Sequence, residues 1–397
     1  MTNRSIDQVF DQYQKSRLCF AQSIADLALR QQNVEPLTKN GILELLRPLL
    51  SDPCSQIRQT SAVALGRLVD HDARLAEELI NKSFMPLLLQ CVYHGNAAAW
   101  GIGYIARHSL TLAQACVEAG AVPLLMLCLQ EPELTLKQIT TSAISDIAKH
   151  SVELAQSVVD SGVIPYLTKS LDNTDEKLKR QILTALSSCA KHSTELAEVV
   201  VEAEIFPSVL LLLGHPCPMV RRNAAILIRD IVKHSLELTQ MVVNTGGIGA
   251  LMETLNQNID QDDGAKVPSI TALGFISGHS DQLALSVIGC KAIVLLAQIL
   301  DESKDEVVLT VTAWCLGQIG KHSPEHSQAV AAANIFPRLL DFYTGESVGE
   351  DLKYKCKNAL KLCLQKCLLV SALEPLLFQA PANILKYTLG QYSKVIF

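Results

Sequence analysis

The sequence predicts an all-α solenoid built from stacked three-helix repeats, and three observations carry that reading. First, His71, His108, His150, His192, His234, His279 and His322 recur at spacings of 37, 42, 42, 42, 45 and 43 residues. Second, 49% of the 397 residues are hydrophobic but only 5% are aromatic, which suits many thin layers of packed helices better than a few thick cores. Third, each interval contains three helical segments separated by polar or glycine breaks.

Residues 1–32 read as an N-terminal amphipathic helix. Asp7, Asp11, Lys15, Arg17 and Asp26 interrupt its apolar positions, so it lacks the apolar core of a signal peptide. Residues 33–366 then hold about eight repeats, and "SVELAQSVVDSG" (151–162) shows how one begins. Ser151 caps a first helix, Glu153 places negative charge in its first turn, and Leu154, Ala155, Val158 and Val159 form its apolar face. Gly162 ends it and turns the chain into "VIPYLTKSL", with Pro165 in the first turn of the second helix. After "DNTDE" comes a third helix whose apolar residues Leu178, Ile182, Ala185, Leu186 and Cys189 follow a helical stripe. The recurrent histidine follows three residues after Cys189, and Leu or Ile stands three before each of the others. At that place the imidazole is expected to donate to the last free carbonyls of its own helix, while the next Ser caps the following one. A helical period of 40 to 47 residues is the armadillo or HEAT signature, and such repeats stack into a right-handed superhelix.

Two stretches depart from the pattern. Pro86 to His108 is 22 residues, against 27 from Pro123 to His150, so the repeat at 72–108 is shortened by five positions. A strained or locally misfolded layer is expected near His94 to Ala97. "NQNIDQDDGAK" (256–266) reads as an extended acidic loop, and 367–397 as a C-terminal helical cap.

Composition and motifs narrow the chemistry. A formal charge of −6 supplies no cationic field for nucleic acid or an acidic membrane, and no apolar run reaches the length of a span. The twelve cysteines form no CxxC pair and read as reduced core residues, including Cys356, Cys363 and Cys367. His322 and His326 have the i, i+4 spacing of metal ligands, but Pro324 starts a helix between them and no HExxH is present. "WGIGYIA" has no preceding strand to make it a phosphate loop. A histidine repeated in every layer is no asymmetric catalytic constellation. The expectation is no catalysis, metal, cofactor or small-molecule substrate.

The segments "QVFDQYQKSR", "IARHS", "AVPLLMLCLQEPE", "SDIAKHSVELAQSVVDSG", "VEAEIFP", "AWCLGQIGKHSPEH" and "LEPLLFQAPANILK" carry a resemblance. Through them the chain, from near residue 6 to its end, resembles the armadillo-repeat proteins of the central apparatus of motile cilia and flagella. The resemblance implies a scaffold in the cytoskeleton of the ciliary or flagellar axoneme that binds other axonemal proteins and the microtubule and supports motility. In that family a further repeat stands between "CVYHGN" and "AAAWGIG", and the chain continues beyond "GQYSKVIF". A rival reading is a soluble adaptor for peptide cargo or junctional partners, similar to importins or catenins.

In armadillo folds the third helices line a groove, which points to the positions eight and four before each histidine. Trp100, Tyr104, Asp146, Asp230, Phe275, Trp314 and Gln318 are the candidate partner surface. Trp occurs there twice and Asn at none of them, unlike the importin pattern for basic peptides. Arg107, Lys149, Lys191, Lys233 and Lys321, each just before a histidine, offer a basic ladder for acidic partners; the alternative is that they complement helix C-termini.

Overall fold

The computed structural model describes residues 3–93, 97–256 and 266–387, and every regular element among them is a helix. The chain divides into two units, residues 1–203 and 204–397.

The first unit opens with α1 (Asn3–Leu27), followed by α2 (Val34–Lys39), α3 (Ile42–Leu46) and α4 (Ser55–His71). A second layer is α5 (Ala73–Asn81), α6 (Met85–Tyr93) and α7 (Ala97–Ala106); a third is α8 (Leu110–Glu118), α9 (Ala121–Gln130) and α10 (Leu134–Ala148). The fourth is α11 (Val152–Asp160), α12 (Val163–Ser170) and α13 (Glu176–Ala190), and α14 (Thr194–Glu202) closes the unit. Like elements stack in three rows: α5, α8, α11 and α14; α6, α9 and α12; and α1, α4, α7, α10 and α13.

The second unit begins with α15 (Phe206–Leu213) and α16 (Pro218–Val232), then α17 (Leu236–Asn244), α18 (Gly247–Asn256) and α19 (Val267–His279). Next come α20 (Asp281–Gly289), α21 (Ala292–Glu302) and α22 (Glu306–Gly320), then α23 (Pro324–Ala332), α24 (Ile335–Thr344) and α25 (Glu350–Leu364). α26 (Val370–Gln379) packs on α24. Here the row of third helices is α16, α19, α22 and α25.

The third helices carry the core, since α4, α7, α10, α19 and α22 each pack between two others of their row. In α13, Leu178, Ile182, Leu183, Ala185, Leu186 and Cys189 are all fully buried. Small residues set the spacing: a Cβ on Gly66 would lie 3.3 Å from Gly101 Cα, and one on Gly103 would lie 3.1 Å from Ala143 Cα. Eight cysteines are buried and none is in a disulfide; burial pushes the Cys363 thiol up to about 12. No single described helix is long and apolar enough to cross a membrane.

Local signals act where the sequence places them. Ser109, Ser151 and Ser193 accept from the amides of Leu112, Leu154 and Leu196 at 3.2–3.3 Å, as do Ser235 and Ser280 from Leu238 and Leu283 at 3.2 Å. Ser323 makes no cap bond, because its hydroxyl lies 2.7 Å from His326 Nδ1. The corner before each second helix is left-handed at Gly41, Gly120, Gly162 and Gly246, with φ of 72, 89, 78 and 90°. Ser83, Glu204, Lys291 and Asn334 hold φ of 55–62° without that freedom, a conformation that costs an L-residue about 1–2 kcal/mol.

The histidines require a correction: His108, His150, His192, His279 and His322 bond the layer before them, not their own helices. His108, His150 and His192 donate from Nε2 to the carbonyls of Val69, Ala106 and Ala148 at 2.6, 2.7 and 2.8 Å. His279 and His322 reach Val232 and Ser277, both at 2.7 Å. Each acceptor lies two residues before the preceding histidine, in the last turn of the neighbouring third helix, where carbonyls lack an intrahelical partner. A carbonyl only accepts, so Nε2 carries a proton in every case. Burial holds His150 and His322 below the ordinary imidazole range, which favours the neutral ring.

Among the described residues, α7 spans 10 positions where α10 and α13 span 15. The expected strain near His94 to Ala97 falls largely on 94–96, outside the described residues, as does most of the acidic loop, 257–265. On either side of 94–96, Leu88 on α6 and Ile102 and Ile105 on α7 are fully buried.

Candidate functional site

Where third helices stack on one another, the residues left half-exposed between them form the accessible face of the row in each unit. Trp100, Tyr104, Asp146, Phe275, Trp314 and Gln318 all lie there. Five of them line two recesses, one in each unit, and Phe275 packs against Trp314.

In the first unit, Trp100 and Tyr104 on α7 face Asp146 on α10 around a cavity of about 40 Å³. The two rings are 5.8 Å apart, and the Arg107 guanidinium lies 5.4 Å from the Tyr104 ring while pairing with Asp70. Burial raises the Tyr104 phenol, so it stays a neutral donor. The Asp146 carboxylate is taken by Lys149 at 2.7 Å.

In the second unit, Trp314 and Gln318 on α22 face Tyr354, Lys355, Asn358 and Lys361 on α25 around about 260 Å³. Trp314 stands on Gly274, where a Cβ would come within 2.2 Å of the indole, and meets Phe275 edge-on at 5.2 Å and 72°. Gln318 is drawn aside, its Oε1 accepting from Lys321 Nζ at 2.7 Å; the same ammonium donates to the Gly278 carbonyl at 2.9 Å. Burial lowers the Lys321 pKa. A broader depression of about 470 Å³ beside Tyr166, Lys169 and Asn173 is lined mostly by exposed residues.

Two sequence expectations change here. Asp230 is only 3% exposed and is held by Arg229 at 2.8 Å and Lys233 at 3.7 Å, so it offers no accessible carboxylate. The basic ladder is not a row of free cations either: Arg107, Lys149, Lys233 and Lys321 each have the internal partners just given, and half-buried Lys191 is also engaged. Tyr354, Lys355, Asn358 and Lys361 were not anticipated, because their layer lacks the histidine that marks the others. Helix bounds would have found them: Glu350–Leu364 repeats Glu306–Gly320 with a constant offset of 44, which puts Asn358 at the position of Trp314.

Other candidate chemistry resolves into packing. His322 and His326 have ring centroids 5.5 Å apart, but their Nε2 atoms lie 2.7 and 2.9 Å from the carbonyls of Ser277 and Asp281. Among the described residues no group of three or more His, Cys, Asp or Glu is placed to hold a metal ion.

Comparison with known proteins agrees with this architecture. Residues 151–191 match the Armadillo/beta-catenin-like repeat, and residues 42–72 and 205–235 match the HEAT repeat. The HEAT stretches share a staple: Arg58 Nη1 donates to the Asp52 and Pro53 carbonyls at 2.7 and 3.0 Å, and Arg221 Nη1 to those of His215 and Pro216 at 2.8 and 2.9 Å. Over 97 residues the chain is 50% identical to human and 48% identical to mouse sperm-associated antigen 6. That stretch is 24% of this chain and spans 19% of the length of each relative. An engineered protein solved by a structural genomics consortium superimposes with a TM-score of 0.84, covering 95% of this chain and 94% of its own at 20% identity. A designed armadillo repeat protein in complex with the peptide (KR)4 superimposes with 0.57, covering 61% of this chain and 99% of its own at 21% identity. The chain therefore has an all-α, armadillo/HEAT-type repeat fold, and over the matched 97 residues it is similar to sperm-associated antigen 6.

Proposed function

We propose that this chain is a non-catalytic scaffold of the axonemal central apparatus, binding other axonemal proteins and supporting ciliary and flagellar motility. The observation that carries the reading is the 50% identity to sperm-associated antigen 6, set in a chain of repeats whose accessible face is a row of helices. Repeat stacking supports it physically, since layers that bury one another's apolar sides leave an extended surface suited to protein partners. Five of the repeat histidines spend their Nε2 proton on that stacking, which supports a structural role for them. The test is to express the tagged full chain in multiciliated or sperm-forming cells and extract with detergent. Retention with the axonemes is expected; recovery solely in the soluble fraction overturns the reading.

The adaptor alternative draws on the designed armadillo protein that holds a basic (KR)4 peptide. Against a basic cargo here, the larger recess is lined by Lys355 and Lys361.

A further inference from the structure

We propose that the recess between α22 and α25 binds a glutamate- or aspartate-rich peptide segment, the carboxylates reaching Lys355 and Lys361 and the peptide lying over Trp314. This deepens the scaffold reading and rests on it for the partner being a protein. Lys355 and Lys361 are, among the described residues, the only charged side chains lining the recess. Among the described residues neither has a carboxylate within 4.0 Å, in contrast to Lys149 and Lys233 at the ends of other third helices. The positive lining is no by-product of a basic chain, whose formal charge is −6. The Lys355 and Lys361 ammonium groups lie 5.9 Å from the Tyr354 ring and 6.0 Å from the Tyr387 ring, respectively, contacts that leave the positive charge in place. Lysines without a carboxylate partner beside an open recess attract acidic partners and reject basic ones.

The rest of the lining suits a polypeptide. Asn358 supplies an amide donor and acceptor on the wall opposite Trp314. The indole is fixed in advance by Gly274 beneath it and Phe275 at its edge, so little side-chain ordering remains to be lost on binding. At about 260 Å³ the recess is small beside the roughly 300–1,000 Å³ of small-molecule pockets, and it admits one or two side chains of a longer segment.

The chain has two tryptophans, so Trp100→Phe leaves Trp314 as sole reporter. The full-length variant is titrated with acetyl-octaglutamate amide, octalysine and the oligonucleotide dT8, following indole emission. Saturable binding of octaglutamate that weakens with salt is expected, with octalysine and dT8 inferior. Lys355→Glu combined with Lys361→Glu should weaken it about tenfold or more, and the Lys355→Gln, Lys361→Gln pair by less. Lys177→Glu with Lys179→Glu on α13 makes the same change in net charge and should leave affinity within about twofold. Octalysine or dT8 binding as tightly as octaglutamate, no saturable octaglutamate binding, or equal effects of the α25 and α13 reversals would overturn the proposal. Axonemal retention without octaglutamate binding removes this inference and leaves the scaffold; octaglutamate binding by a chain found only in the soluble fraction does the reverse.

Discussion

Trp100 and Trp314 stand eight residues before a repeat histidine, on the same face of the same kind of helix, yet one borders about 40 Å³ and the other about 260 Å³. Helix spacing does not explain this. A Cβ on Gly103 would lie 3.1 Å from Ala143 Cα, and one on Gly317 would lie 3.0 Å from Ala359 Cα. The residue one turn further on does. Beside Trp100 that residue is Tyr104, held over its neighbour by Arg107, and it fills the space. Beside Trp314 it is Gln318, pulled away by Lys321. The next layer then sets the charge, with Asp146 neutralised by Lys149 in one recess and Lys355 and Lys361 unneutralised in the other. A repeat position specifies where a side chain stands; its neighbours specify what it can bind.

The short layer carrying Trp100 should be as firmly packed as the full layer carrying Trp314. Ile102→Ala on α7 and Leu316→Ala on α22, both fully buried, should each cost about 2–5 kcal/mol in denaturant unfolding. A loss below about 1 kcal/mol for Ile102→Ala alone would show that the short layer is loose. Next in size, Gly274→Ala drives a methyl into the Trp314 ring and should cost about 1–3 kcal/mol. It should also shift Trp314 emission in the Trp100→Phe background; an unchanged spectrum would mean that Gly274 does not position the indole.

Acid should act on both units alike. Burial depresses the imidazoles of His150 and His322, so the unfolded chain takes up protons first as pH falls. The stability tied to their neutral rings is complete above about 6.5 and is lost as pH drops from there toward the lower folded-state values. His150→Gln and His322→Gln should flatten that slope in urea midpoints measured across the range; a slope that steepens would reverse the sign assigned here. The smallest effect concerns the corners. Lys291→Gly should gain up to about 1 kcal/mol by relieving a φ of 62°, while Gly162→Ala should lose about 1 kcal/mol at a φ of 78°. Equal losses from both would show that Lys291 has a contact outweighing its strain.

Much of this was legible in the residues. Cap serines, corner glycines and the stripe from Leu178 to Cys189 act within one or two turns, so the chain announces them locally. The exception is instructive: Ser323 has the same place as Ser151 but gives its hydroxyl to His326, a residue whose burial depends on the layer before it. The α25 recess was hidden for a related reason, since its layer keeps the helix and drops the histidine used as the marker.

The amino-acid order alone determined the helices, their period and the shortened layer, because propensity, capping and apolar spacing are properties of neighbouring residues. Tertiary structure alone decided that each described histidine bond reaches the previous layer, that Asp230 is buried, and that Lys149 is paired while Lys355 is not. Those outcomes turn on which side chains and carbonyls are brought together from different helices. For the histidines the partner lies 39 to 47 residues away, beyond the reach of any local signal.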